Sequence, residues 1–232
     1  MGGYKGPRKV SLGGIGRTPE TDVLLTKVLA SCPALEELEV YAFSPDSASI
    51  EVNHQSFVLL LQQVKVRKLF LSCDVDNDYN LENIFHPLKD NHFLEELSID
   101  LRLPATVWMF DGGYTPADAI SPTGWDWLCY SLCQVLCGIL EESNMTLKKV
   151  GWCENGNSPS RLYKDAMDPA RYLAALNFFG RGQVRRGECE NIGDLLAAAK
   201  VEIMHDDTTY GFGFASIGYG LLRESPSLWA QV

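Results

Sequence analysis

Cys129, Cys133 and Cys137 stand at i, i+4 and i+8, a spacing that places three thiols on one helix face and invites a metal reading. A helix rises about 1.5 Å per residue, so the outer two thiols lie about 12 Å apart along the axis. Zinc–sulfur bonds of about 2.3 Å cannot bridge that distance. The three therefore read as small apolar groups on a helix face packed against a sheet, and no metal is expected. The four histidines, His54, His86, His92 and His205, are scattered, and no motif gives them partners beyond the local group His205-Asp206-Asp207. Gly211-Phe212-Gly213 and Gly218-Tyr219-Gly220 lack the preceding strand and following acid of a dinucleotide fingerprint. Gly13-Gly14-Ile15-Gly16 lacks the Lys-Ser/Thr of a nucleotide loop, and Phe214 stands where a nucleophile elbow needs glycine. No catalytic residue and no cofactor are expected.

Arg181, Arg185 and Arg186 suit either an anion or an acidic partner, or else neutralise the nearby Glu188, Glu190 and Asp194. The formal charge of −10 disfavours nucleic acid as a partner. Hydrophobic residues make up 46% and charged residues 22%, ordinary values for a globular chain. Seven cysteines, an odd number with no signal peptide before them, argue for free thiols in a reducing compartment, cytoplasmic or nuclear. No apolar run approaches the ~18–20 residues of a membrane span. Asn144-Met145-Thr146 fits a glycosylation sequon, a chance match where no secretory signal accompanies it.

The elements that must position these groups are legible as an internal repeat. Leu35-Glu36-Glu37-Leu38-Glu39-Val40, Val66-Arg67-Lys68-Leu69-Phe70-Leu71, Leu94-Glu95-Glu96-Leu97-Ser98-Ile99 and Leu147-Lys148-Lys149-Val150-Gly151-Trp152 are each apolar at positions 1, 4 and 6. Pro7-Arg8-Lys9-Val10-Ser11-Leu12 is a weaker copy. The copies start at 7, 35, 66, 94 and 147, with separations of 28, 31, 28 and 53. Helical patterns follow at 22–29, 57–64, 81–88 and 125–140, so each copy opens a strand–helix unit. One such unit cannot bury its apolar face alone; stacked units can.

At these residues, roughly 7–153, the chain resembles the leucine-rich-repeat family, and the 28-residue period is similar to its ribonuclease-inhibitor-like class. The resemblance implies an α/β solenoid with a curved parallel sheet and outer helices. Ala42, Cys73 and Leu101 stand near where the family's usual asparagine, later in the strand segment, would fall. Residues 1–155 are read as the repeat domain, with a loop insertion at about 103–124, and 156–232 as a C-terminal helical cap region. In the tail, Asp168-Pro169 signals a helix start with Asp as cap, Gly180 a stop, and further helices run from about Ile192 to His205 and up to Leu228. Leu176-Asn177-Phe178-Phe179-Gly180-Arg181 with Leu222-Arg223-Glu224-Ser225-Pro226-Ser227-Leu228 resembles the C-terminal tail of uncharacterised repeat proteins of diatoms and related algae, for which a capping role is implied.

In this motif, charges alternate in sign from copy to copy. Position 2 reads Arg8, Glu36, Arg67, Glu95, Lys148, and position 3 reads Lys9, Glu37, Lys68, Glu96, Lys149. Adjacent strands put such positions side by side, where opposite charges attract. An undetected strand in the 53-residue gap would break the alternation, so the 147–152 strand is expected to pair directly with 94–99. Phe70 and Tyr41 are the large groups on the concave positions, and Trp108, Phe110 and Tyr114 are the sticky residues of the inserted loop. These five are the candidate partner-binding residues. The expected function is a non-catalytic protein-binding scaffold for an unknown protein; the alternative is a substrate-recognition subunit of a ubiquitin ligase or other assembly. With its first strand within ten residues of Met1, the chain is expected to self-associate through that uncapped strand, to need a partner, or to belong to a longer solenoid.

Overall fold

In the computed structural model, residues 6–13, 27, 29, 31–43, 58, 60–63, 65–74, 81–102, 122–152, 167–205 and 212–225 are described. The strands are β1 (Lys9–Gly13), β2 (Glu37–Phe43), β3 (Lys68–Asp74), β4 (Glu96–Arg102) and β5 (Lys149–Trp152). They form one open, all-parallel sheet whose spatial order is the chain order. The helices are α1 (Leu81–Phe85), continued by a 3-10 turn at His86–Lys89, then α2 (Pro122–Glu142), α3 (Asp168–Phe178), α4 (Arg181–Arg185), α5 (Ile192–His205) and α6 (Phe214–Glu224). The chain is an α/β protein. No helix among the described residues is long and apolar enough to cross a membrane.

Strand alternation puts every second side chain on one face, and the repeated leucines use that geometry. Leu38, Leu69, Leu97 and Val150 are register partners, as are Val40, Leu71 and Ile99. Both rows are buried, together with Leu35, Val66, Leu94 and Leu147 at the first position of each copy. Each such side chain contributes about 1.5–3 kcal/mol when taken fully out of water. Leu132, Leu136, Ile139 and Leu140 of α2 belong to the same core. Cys129 and Cys133 are buried on α2 and Cys137 is half-buried, as the helix-face reading of the thiols expects. The direct pairing of β5 with β4 holds, Glu96 standing opposite Lys149.

The turn entering each strand raises a different problem, because buried main-chain groups there need partners. At the entries to β4 and β5, buried asparagines supply them. Asn91 accepts from the Phe93 and Leu94 amides at 3.0 and 2.9 Å and donates to the Leu61 carbonyl at 3.0 Å. Asn144 repeats this one unit later. Its Oδ1 accepts from the Thr146 and Leu147 amides at 3.0 and 2.9 Å, and its Nδ2 donates to the Leu88 and Asn91 carbonyls at 2.6 and 3.1 Å. Asn177 of α3 continues the series by donating to the Asn144 and Leu147 carbonyls at 2.9 and 3.0 Å. Its Oδ1 is buried and has no hydrogen-bond partner among the described residues.

The tail corrects several boundaries. Asp168 lies inside the first turn of α3, its carboxylate bonded to Arg171 at 2.9 Å, while Met167 holds the cap position without a side-chain bond. Pro122, Thr123 and Gly124 belong to α2, so the insertion ends three residues before the expected 124. Proline suits a first helical turn because its φ is preset and its missing N–H has no role there. α6 stops at Glu224, as Pro226 drives Ser225 into extended backbone. Gly180 does end the preceding helical run, with φ of 95°. Gly220, which weakens α6 as an isolated helix, is required by contact: a Cβ there would lie 2.3 Å from the Tyr172 hydroxyl and 2.8 Å from Leu176.

Two stability measurements test this account. Asn144→Ala should lose about 3 kcal/mol in urea unfolding, since it strands several buried main-chain groups. Gly220→Ala should cost about 1–3 kcal/mol by overpacking, despite alanine's better helix propensity.

Candidate protein-binding surface

The sheet face opposite the leucine rows carries the alternate side chains, those of positions 3, 5 and 7 of each copy. Its charged row is in the anticipated register, Lys9 beside Glu37, Glu37 beside Lys68, Lys68 beside Glu96 and Glu96 beside Lys149. Lys68 lies 3.2 Å from Glu96, and Lys9 lies 3.8 Å from Glu37. At position 2, Arg8 meets Glu36 at 2.6 Å, Arg67 meets Glu95 at 2.8 Å, and Lys148 meets Glu95 at 3.4 Å. These pairs are largely exposed, so salt screens them and they steer register more than they add stability.

Glu39 organises the middle of the face. It takes an ion pair from Lys9 at 2.6 Å, a hydrogen bond from the Ser11 hydroxyl at 2.5 Å and a longer one from the Tyr41 hydroxyl at 3.3 Å. Lys9, then Ser11, hold its carboxyl below the usual carboxylate range. Phe70 is the register partner of Glu39 on one side and Ser98 on the other. The rings of Tyr41 and Phe70 stand 4.9 Å apart between centroids, tilted by 44°. Tyr41 is exposed and Phe70 half-buried. The structure thus brings together two of the five candidate residues, on adjacent strands. Trp108, Phe110 and Tyr114 lie outside the described residues.

The C-terminal half of the same face differs. Ser72 and Asp100, register partners expected on an open surface, are both buried, and the Ser72 hydroxyl donates to Asp100 at 2.9 Å. The usable surface is therefore the β1–β3 side, an amphipathic aromatic pair next to a ligated carboxylate. Such a patch offers apolar area with polar handles. Among the described residues, no group of three or more His, Cys, Asp and Glu is placed to hold a metal ion.

The arginine cluster divides, with Arg181 in the interior and Arg185 and Arg186 exposed. Arg181 is fully buried, donating to Glu224 at 2.7 Å and to the Leu140 carbonyl at 3.0 Å. Arg185 also bonds Glu224, and it reaches the Glu141 carbonyl at 2.6 Å. Two guanidinium groups thus close the C-terminal end of α2, where free carbonyls favour cations. Arg186 pairs with Glu188 at 2.8 Å. Of the two readings of this cluster, the contacts match neutralisation of acids, although the chief acid is Glu224 rather than Glu190 or Asp194. Arg181 thus joins α4 to Glu224 of α6 and to the last turn of α2, and Asn177 joins α3 to the strand entry at Leu147.

Sequence reasoning missed the asparagines. Their signal was present: Asn91 and Asn144 each stand three residues before the first leucine of a copy, Leu94 and Leu147. No protein-family model matches the chain, and no curated protein matches it.

Burial drives the Glu224 carboxyl up, but Arg185 and Arg181 outweigh it and hold the group below its usual value of 4.5. Because the folded-state value is depressed, this pairing stabilises above the unfolded-state value and is lost as pH falls through the folded one. Glu224→Gln should therefore flatten the acid limb of a stability–pH profile below about pH 4.5. At pH 7, Glu224→Ala should cost about 3–5 kcal/mol in thermal or urea unfolding, because it leaves the buried Arg181 charge unpaired.

Proposed function

We propose that this chain is a leucine-rich-repeat solenoid of the ribonuclease-inhibitor-like type, capped by its C-terminal helices, that binds a partner protein and catalyses no reaction. The observation that carries the reading is the coincidence of three periodic features. Strand pairs join equivalent residues of successive copies, the leucine rows fill one interior, and Asn91 and Asn144 perform the same turn-to-turn bonding one unit apart. A stack of this kind presents a regular, rigid face whose outward side chains are free to vary without cost to the core.

On that face, the Tyr41–Phe70 pair is the anchor. Aromatic groups with a polar tip bury large area at low entropic cost and dominate many protein interfaces. Glu39 at its edge would accept from a donor on the partner and give the contact direction. Arg181 and Glu224, by holding the last turn of α2 to the cap helices, keep the end of the core closed rather than adding a ligand site.

The test is quantitative affinity capture with the intact chain, comparing wild type with Phe70→Ala and Tyr41→Ala, each first shown to be folded by circular dichroism. A partner retained by the wild type and weakened at least tenfold by both substitutions is expected; hot-spot aromatics typically cost about 1–4 kcal/mol on truncation. Retention unchanged by both would remove this face from the function.

A further inference from the structure

Five strands with alternating charge leave the two edges of the sheet alike. Arg8 and Lys9 stand at one end and Lys148 and Lys149 at the other, both basic at positions 2 and 3. The β5 side is occupied: α3 lies against it, and Asn177 bonds the Leu147 carbonyl at the strand entry. The β1 side differs in two respects. Its inward apolar side chains Val10 and Leu12 remain half-exposed, whereas their register partners Leu38 and Val40 are buried at 1% and 0%. Its outer main chain also has no bonded neighbour among the described residues. The Arg8 carbonyl accepts from the Glu36 and Glu37 amides of the β2 side, so by strand alternation Lys9, Ser11 and Gly13 turn their N–H and C=O groups outward.

We infer that the β1 edge is a docking site for an extended segment of a partner protein that carries two consecutive acidic residues flanked by apolar ones. The segment adds as a sixth parallel strand. Its acids at positions 2 and 3 sit beside Arg8 and Lys9, as Glu36 and Glu37 already do on the other flank, and its residues at positions 4 and 6 cover Val10 and Leu12. Main-chain hydrogen bonds give the affinity, and the charge pattern gives the selectivity. A second copy of this chain is a poor occupant, because each of its sheet edges would bring lysine or arginine against Arg8 and Lys9. The edge adjoins the Tyr41–Phe70 face, since Lys9 and Ser11 both bond Glu39, but the proposal does not depend on the role given to that face.

The experiment uses the full chain and a fluorescent peptide containing Leu-Glu-Glu-Leu-Glu-Val, the wording of the β2 copy. The controls are the same peptide with lysine for each glutamate, and one N-methylated at the amides facing β1. The acidic peptide should bind at least about tenfold more tightly than the lysine peptide, and its advantage should shrink with salt. N-methylation should abolish binding, and bound peptide should slow hydrogen exchange at Lys9 and Ser11. Ser11→Pro, which removes an outward N–H and also the hydroxyl bond to Glu39, should abolish binding with the circular dichroism spectrum unchanged, whereas Ser11→Ala, which removes only the hydroxyl bond, should bind the peptide as the wild type does. Phe70→Ala should leave peptide binding unaltered. Equal binding of acidic and lysine peptides, tolerance of N-methylation, or self-association of the free chain that protects Lys9 and Ser11 would each overturn the proposal.

Discussion

A primary amide buried in an apolar interior is tolerable only when its donors and acceptor are used, and this requirement disciplines the turns of the molecule. Asn91 ties its own strand entry to the Leu61 carbonyl, and Asn144 ties the next entry to the Leu88 and Asn91 carbonyls. Each amide therefore sees the unit before it. A unit displaced along the stack would break several bonds at once, and the parallel sheet inherits its register from that penalty. The leucine rows supply most of the driving force, but apolar contacts alone are forgiving of small slips. The carboxamide contacts are directional and are not.

The charged rows add a second, weaker layer of specification. The pairs of Arg8 with Glu36 and Arg67 with Glu95 are solvent-facing, and their worth in equilibrium stability is small. Their value lies in what they disfavour. A strand paired one unit out of order would bring glutamate to glutamate or lysine to arginine along two rows together. Parallel sheets close distant parts of the chain and form slowly, so bias against misordered pairing matters during folding as well as after it.

The order and parallel pairing of the strands were legible in the residues, because four strong copies and one weak one agree on charge and on the apolar fourth and sixth positions; the strands themselves begin two residues after each copy does. The direct β4–β5 pairing followed from charge parity, although 53 residues separate the copies. What escaped was the polar interior. Asparagine was sought late in the strand segment, near Ala42, Cys73 and Leu101, whereas the bonding asparagines precede the strand at 91 and 144. Only two copies carry them; Cys32 and Gln63 occupy the equivalent sites, so the periodicity was too sparse to stand out. In the tail, acids to neutralise the arginines were sought at Glu188, Glu190 and Asp194, because Glu224 lies 43 residues beyond Arg181. Gly220 looked like a weakness of its helix because helix propensity knows nothing of Tyr172 and Leu176. The nearness of Tyr41 and Phe70 was legible from strand position alone. A segment such as 103–121 offers no period from which a position could be inferred.

The burial of Asn144 reaches back to biosynthesis. It belongs to the tripeptide Asn144-Met145-Thr146, an acceptor sequence for oligosaccharide transfer, yet its side chain is wholly enclosed and both amide hydrogens point at carbonyls. A sugar on that nitrogen and this architecture are mutually exclusive. Were the nascent chain exposed to the transferase before it folded, the modification would be a folding lesion at the centre of the stack rather than a surface decoration.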